Sequence, residues 1–567
     1  MLHAAALLLL AGTSTAHAAD DNWDFSLDGY YRVRTQLLAG GLFGNKDVSF
    51  FQGQDEDARM IVQRLRLQPE INFEDRAKFF MMTDVLDDVV WGDNQSASST
   101  ALFAGDPTTT SVDGTADSVF KIKRAWMEFS LPVGLMRVGR QPSNWGMGLL
   151  SNDGNGFVNT FGESHYGSTY DRVIFATKPI AIAQTIAGKE PADIPLFLAV
   201  GVDRLVEDPL IQYFGYECST TRYNADTQQN EAIEEGDPDY NPACDPDGLG
   251  YHTIEHSNED TTRQDTDRAD DWWADQDDDV WEMVYALIYK GEDIDMLGSK
   301  GDLTAGTYIV NRVQRETDSK VWIYDLYLRW LWKGIYLESE ALTIQGTTRA
   351  IAPDAAVEGI DGDALKKKAN IWSYVARAGY KSDLLEGVFE TGYASGDENT
   401  LGDGDFTGRA MHPDYNVGLL IYEEVLARAT AGAWTDTAQG LWSKGGVVNS
   451  RYIFPQVTWS PMDNWHLTGA WLMAWPDKPD GIIIKCSADD KVACDNPTAT
   501  AKSLGWEADL ALKHQFHDHL LFSLETGYAR TTDRIAYDAA GLHSSTNSNG
   551  DTVGKFFTLQ SRIAYEF

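Results

Sequence analysis

The sequence predicts an all-β fold: a transmembrane antiparallel β-barrel of about eighteen strands, with long extracellular loops and short periplasmic turns. Three observations predict it. Long stretches alternate apolar and polar residues, the connectors between them are alternately short and long, and the last stretch keeps its alternation up to Phe567.

The alternation begins at Phe25, where Phe25, Leu27, Tyr31, Val33, Thr35 and Leu37 share one face. Asp24, Ser26, Asp28, Tyr30, Arg32, Arg34 and Gln36 share the other. Arg64 to Phe73 repeats it, with Leu65, Leu67, Ile71 and Phe73 set against Arg64, Arg66, Gln68, Glu70 and Asn72. The stretches Trp322 to Trp332 and Trp465 to Trp475 do the same with aromatic residues near their ends. A strand that shows lipid one face and a polar lumen the other must alternate in this way, and aromatics gather where it meets the membrane surface. Soluble sandwiches use strands of about 5–6 residues, shorter than these.

Read along the chain, strands fall near 23–38, 59–74, 77–86, 119–131, 135–141, 171–178, 194–204, 280–290, 301–316, 320–332, 335–347, 370–381, 384–395, 450–460, 464–475, 504–516, 518–532 and 554–567. Within pairs the connectors are mostly short, as at Lys333-Gly334 and His517-Asp518, and between pairs they are mostly long. An even count lets the sheet close, so that no backbone edge is left unpaired in lipid. In the final strand Phe557, Leu559, Ser561, Ile563, Tyr565 and Phe567 alternate. Tyr565 and Phe567 resemble the terminal signal read by the outer-membrane assembly machinery, an expected partner along with outer-membrane lipid.

Residues 1–18 read as a signal peptide, with an apolar run from Leu2 to Gly12 and Ala16-His17-Ala18 as the cleavage pattern. Residues 19–567 read as a single barrel domain. No later run approaches the ~18–20 apolar residues of a spanning helix. The formal net charge of −40 argues against nucleic acid as a partner, since a phosphate-binding surface is basic.

Much of that charge lies in an acidic extracellular loop at 205–279, where 22 acidic residues face 3 arginines. Asp275, Asp277 and Asp279 are the candidate oxygen ligands for Ca2+, but no EF-hand spacing is present and a solvated acidic surface is the preferred reading. Four cysteines in an exported chain suggest two disulfides, Cys218–Cys244 and Cys486–Cys494, each within one outer loop.

Alternation also assigns the lumen. Arg32, Arg34, Arg64, Arg66 and Arg124 are the candidate basic pore-lining residues. Asp84, Glu128, Glu338, Glu340, Glu386 and Glu390 are the acidic ones, and Glu507 and Asp509 share that inward face. The wall is thus expected to be basic on one side and acidic on the other, with Asp84 bridging Arg66 and Arg124. The connector at 142–170 is too apolar to stand in water. Trp145, Met147, Phe157 and Phe161 mark it as a constriction loop folded into the barrel. A large loop near 396–449 carries a candidate amphipathic helix from Tyr415 to Ala429 that caps or partly plugs the pore, with solvated loop structure as the alternative.

Three passages carry a family likeness: Arg64-Leu65-Arg66-Leu67, the run from Val138 to Gly148, and Gly392-Tyr393-Ala394-Ser395-Gly396-Asp397. Together they resemble the alginate-export-like porin family and a related porin-like group. The resemblance implies an outer-membrane barrel and, in that family, a strongly cationic polysaccharide-export pore.

No catalytic constellation stands out. Ser164-His165 has only Glu163 as an acidic neighbour, and His514, His517 and His519 cluster at a predicted turn. The expectation is a passive outer-membrane channel for small polar or charged solutes, monomeric or trimeric, with no enzyme activity and no cofactor beyond Ca2+ at the acidic loops. A polysaccharide-export pore and a surface adhesion barrel with a plugged lumen are the alternatives.

Overall fold

The computed structural model describes residues 23–40, 57–74, 76–90, 120–155, 159–164, 167–207, 215–219, 221–224, 229–232, 252–256, 280–296, 298–314, 318–348, 366–398, 404–427, 430, 443–479, 501–532, 534–535 and 554–567. The strands are β1 (Trp23–Gly40), β2 (Asp57–Phe73), β3 (Ala77–Val90), β4 (Phe120–Leu131), β5 (Gly134–Pro142), β6 (Thr169–Thr177), β7 (Leu196–Glu207), β8 (Gly215–Ser219), β9 (Thr221–Asn224), β10 (Gln229–Ala232) and β11 (His252–His256). There follow β12 (Trp281–Met296), β13 (Ser299–Gln314), β14 (Ser319–Trp332), β15 (Ile335–Thr348), β16 (Lys367–Lys381), β17 (Leu385–Ala394), β18 (Ser450–Met462), β19 (Trp465–Pro476), β20 (Gly505–His517), β21 (Leu520–Thr531) and β22 (Lys555–Glu566).

Eighteen of these form one antiparallel sheet. It closes because β1 pairs with β2 on one side and with β22 on the other, Arg34 lying opposite Arg562. Closure leaves no edge with unpaired N–H and C=O groups, the condition for strands in hydrocarbon. The other four strands make two small ladders between β7 and β12, β8 with β11 and β9 with β10.

The outward positions are apolar and exposed, among them Phe25, Leu326, Trp372, Val457 and Ile563. Along β16 burial alternates residue by residue, with Ala369, Ile371, Ser373 and Val375 inside and Trp372 and Tyr374 outside. Such a belt is costly in water and is what a bilayer demands, so the barrel belongs in an outer membrane. None of the described helices is long and apolar enough to cross a membrane.

The short connectors gather at one end of the barrel, apart from residues 315–318 between β13 and β14 at the other. Between β14 and β15, Lys333 and Gly334 both take positive φ (49° and 80°). That two-residue turn suits the right-handed twist of the strands it joins. One connector at this end is longer: between β6 and β7 it carries α1 (Pro179–Ile186).

The apolar interior lies inside the barrel, in the half toward the long connectors. Leu149, Leu150 and Phe161 of the β5–β6 connector pack there with Val417, Leu419, Leu420 and Val425 of the β17–β18 connector. Inward wall residues such as Val284, Ile323, Ile371 and Phe454 join them. The expected helix at Tyr415–Ala429 is corrected: the described helix is a π-helix, Ile421–Leu426. Gly418, at φ +77°, breaks the chain before it, and residues 419–421 bond to the wall instead of continuing a helix backward.

Candidate functional site

The arginine face is built at the seam where the first and last strands meet. Arg32 lies opposite Arg64 across β1–β2, and Arg34 lies opposite Arg562 across β1–β22. All four are buried inside the barrel. Like charges directly opposite repel, so such a face needs counter-charges. Glu163, from the β5–β6 connector, supplies one. Its carboxylate lies 2.8 Å from Arg32 Nη1, 3.1 Å from Arg562 Nη1 and 3.9 Å from Arg34 Nη1.

Asp84 on β3 supplies the second. It takes both Arg66 Nε and Nη2, at 2.7 and 2.8 Å, and lies 4.0 Å from Arg64 Nε. The expected bridge from Asp84 to Arg124 is corrected. The neighbour on β4 is Lys123, at 3.7 Å. The register slips between Met82 and Thr83, opposite Arg124 and Ile122, and this bulge turns Lys123 toward Asp84. Arg124 reaches Thr169 Oγ1 at 3.2 Å and the Asp153 carbonyl at 2.6 Å.

Other inward carboxylates hold the loops, those of β14 and β15 across the barrel from the arginine face and Glu507 on β20 two strands from β22. Glu340 accepts hydrogen bonds from the backbone N–H of Met147 and, at 3.2 Å, of Leu149. Asp325 accepts from Trp145 Nε1 at 3.1 Å, and the Trp145 ring stacks on Tyr308 at 5.3 Å. Glu507 accepts from Leu419, Leu420 and Ile421 N–H at 2.5, 2.8 and 2.8 Å. Phe161 lies 6.0 Å from the Phe454 ring, and Met147 is half-buried beside the apolar cluster.

The two inward connectors also bind each other. Asp414 accepts from Gly167 N–H at 2.7 Å, His412 Nε2 lies 3.1 Å from Ser168 Oγ, and Asn159 Nδ2 donates to Asn416 Oδ1 at 2.6 Å.

The remaining acidic residues lie elsewhere. Arg377 pairs with Glu390 at 2.6 Å and approaches Glu338 at 3.9 Å, and Tyr452 donates to Glu390 at 2.6 Å. Glu128 pairs with Arg137 at 2.5 Å near the β4–β5 turn. Glu386 lines a recess of about 690 Å3 at the short-turn end, with Lys381, Tyr336 and Lys333. A recess thus lies at the short-turn end, and two docked loops pack the interior toward the other.

Sequence reasoning missed Arg562, Arg377, Lys123 and Lys513. Arg562 was legible, since it is the inward neighbour of the outward Ile563. Lys123 was not, because only the bulge turns it. Phe157, His165, Asp275, Asp277, Asp279, Cys244, Cys486, Cys494 and residues 1–18 lie outside the described residues. Cys218 is described only through its backbone, opposite Thr253. Ser164 is buried against Asn159 at 3.4 Å. His514 stacks on Trp465 at 4.0 Å. Among the described residues no group of three or more His, Cys, Asp or Glu is suited to hold a metal ion.

No protein-family model and no curated protein matches the chain. Solved structures do. Pseudomonas aeruginosa OpdL is 10% identical with a TM-score of 0.44, covering 96% of this chain and 99% of that one. Pseudomonas aeruginosa OpdQ is 9% identical, TM-score 0.43, covering 96% and 98%. Pseudomonas aeruginosa OpdK, solved with vanillate, has the same figures as OpdQ.

Proposed function

We propose that the protein is a passive outer-membrane channel for small polar or charged solutes. The observation that carries this reading is the charged lumen wall: arginines of β1, β2 and β22 face carboxylates of β14 and β15 across the section where two connectors fold inward. Exported barrels that only anchor a surface domain have no need of such a section. Charge in a narrow, partly dehydrated passage is screened less than on an open surface, so this section sets which ions pass. The chemistry needs no cofactor, only width and field.

Reconstitution of the purified protein in a planar bilayer tests the proposal. Large, steady conductance steps are expected. Silence under all voltages would favour a plugged barrel, a second reading that the packed cluster around Leu419, Leu420 and Phe161 supports. Polysaccharide export finds less support, because the inward charges include the carboxylates Asp325, Glu340 and Glu507 and docked-loop side chains pack the section.

A further inference from the structure

We propose that Arg530 and Lys555, an outward-facing pair at the long-connector end of β21 and β22, form a binding site for a phosphorylated lipid of the outer leaflet. The occupant is a lipid packed along the barrel, with a headgroup phosphate held between the two side chains.

The two residues lie directly opposite each other across the last pair of strands, and both are exposed. Opposed Cβ atoms stand about 4.5–5.5 Å apart, and like charges so placed repel. Among the described residues neither pairs with a carboxylate. At the membrane surface the counter-charge comes from lipid. Arginine offers a planar fork of donors and lysine a point charge, and at this spacing both reach one phosphate.

Their depth is that of a headgroup. Trp506 lies opposite Arg530 on β20 and stacks on Trp471 at 4.6 Å. One outward position deeper, Tyr528 and Phe557 face each other, both exposed. Leu559 and Ile563 of the apolar belt follow below them. Aromatic rings gather where hydrocarbon meets headgroups. A lipid lying along β21 and β22 therefore sets its acyl chains on aliphatic side chains and its phosphate, above the rings, at the two cations.

The outward charge also selects the leaflet. At the long-connector end the outward face carries Arg204, Lys320, Lys368 and Arg451 as well, and the Arg204 guanidinium lies over the Trp281 ring at 3.9 Å. At the short-turn end the exposed outward positions include Tyr380, Trp459, Phe516 and Tyr565. Basic residues attract anionic headgroups only within about a Debye length, so the site must lie where they do. Cations at one surface and bare aromatics at the other fit an outer leaflet of glycolipid with phosphates on its sugars.

The test uses the full-length barrel in a neutral detergent, titrated with lipid A in its diphosphorylated and its dephosphorylated form, with bound lipid read by native mass spectrometry. The wild type is expected to bind the diphosphorylated form about tenfold more tightly. Arg530→Gln combined with Lys555→Gln is expected to remove most of that preference. Arg76→Gln takes a positive charge from a short turn at the opposite end and is expected to leave the preference unchanged. Should the double variant fail to assemble, each single substitution is expected to cost about threefold. Equal binding of the two lipids by the wild type overturns the site, as does a preference that survives whole in the assembled variants. A loss just as large in Arg76→Gln overturns it too, because the preference would then follow net charge and not this pair.

Discussion

Glu507 on β20 accepts a hydrogen bond from the backbone N–H of Leu419 at 2.5 Å, joining the barrel wall to a loop 88 residues away in the chain. The same carboxylate takes Leu420 and Ile421 N–H, the donors that the start of a helix leaves without intrahelical partners. Glu507→Ala strands these buried N–H groups, at roughly 1–3 kcal/mol for each one left unsatisfied. The β17–β18 connector is then expected to leave the lumen, raising conductance and open-channel noise. Single-channel traces indistinguishable from wild type would show that other contacts suffice.

Docking of that connector is expected to depend on pH. Burial pushes the Glu423 carboxyl well above its ordinary value of 4.5, and nearby Glu424 and Asp414 push it the same way, against a smaller pull from Arg34. The docked loop therefore holds a proton that the undocked loop releases. Docking is fully favoured below about 4.5 and weakens as pH rises through the raised value. Conductance is expected to increase from acid toward neutral pH, and Glu423→Gln is expected to flatten the profile. A slope unchanged by that substitution would assign the titration to another group.

Neutralising Arg32, Arg34, Arg64 and Arg66 together removes most of the positive face at the seam. In a salt gradient the reversal potential is expected to shift toward cation preference. Normal conductance without that shift would make these arginines purely structural. Part of the lost charge is already balanced, by Glu163 and by Asp84, so a shift smaller than four free charges imply is expected.

Phe567 exchanges two backbone hydrogen bonds with Gly29, each 3.0 Å long, and its ring stacks with Tyr565 at 6.4 Å. Deleting it removes the last tie across the seam. The amount of heat-modifiable, folded barrel in the outer membrane is expected to fall. Wild-type levels of the folded band would count against a role in assembly.

The cysteines are expected to pair as Cys218–Cys244 and Cys486–Cys494 in the oxidising compartment, closing one loop each and restricting its unfolded states. Mass spectrometry of the native protein, alkylated without reduction, is the check. Alkylated cysteine at any of the four positions would refute the pairing.

The strands were legible because one force writes them. Period-two alternation records lipid on one side and lumen on the other, so Phe25, Leu65, Leu326 and Ile563 announced their faces residue by residue. The helix at Tyr415–Ala429 misled because apolar residues at helical spacing there serve a different end. Leu419, Leu420, Ile421, Val425 and Leu426 are buried on all sides, between the opposite connector and the wall, so their spacing carries little helical meaning. Asp84 misled for a local reason: a single-residue bulge exchanged Arg124 for Lys123, and a bulge leaves no mark in alternation.

By itself, the sequence determined the closed barrel, which residues face inward, and which connectors are too apolar for water. Each of these depends on a residue's own transfer between lipid, water and protein. Only the tertiary structure decided what the inward charges meet. Glu163 reaches Arg32 and Arg562, Glu340 reaches Leu149, and Glu507 reaches Leu419, because closing the sheet and folding two loops into it brings together groups far apart in the chain. Such pairings are set by distance and direction in space, which no periodicity records.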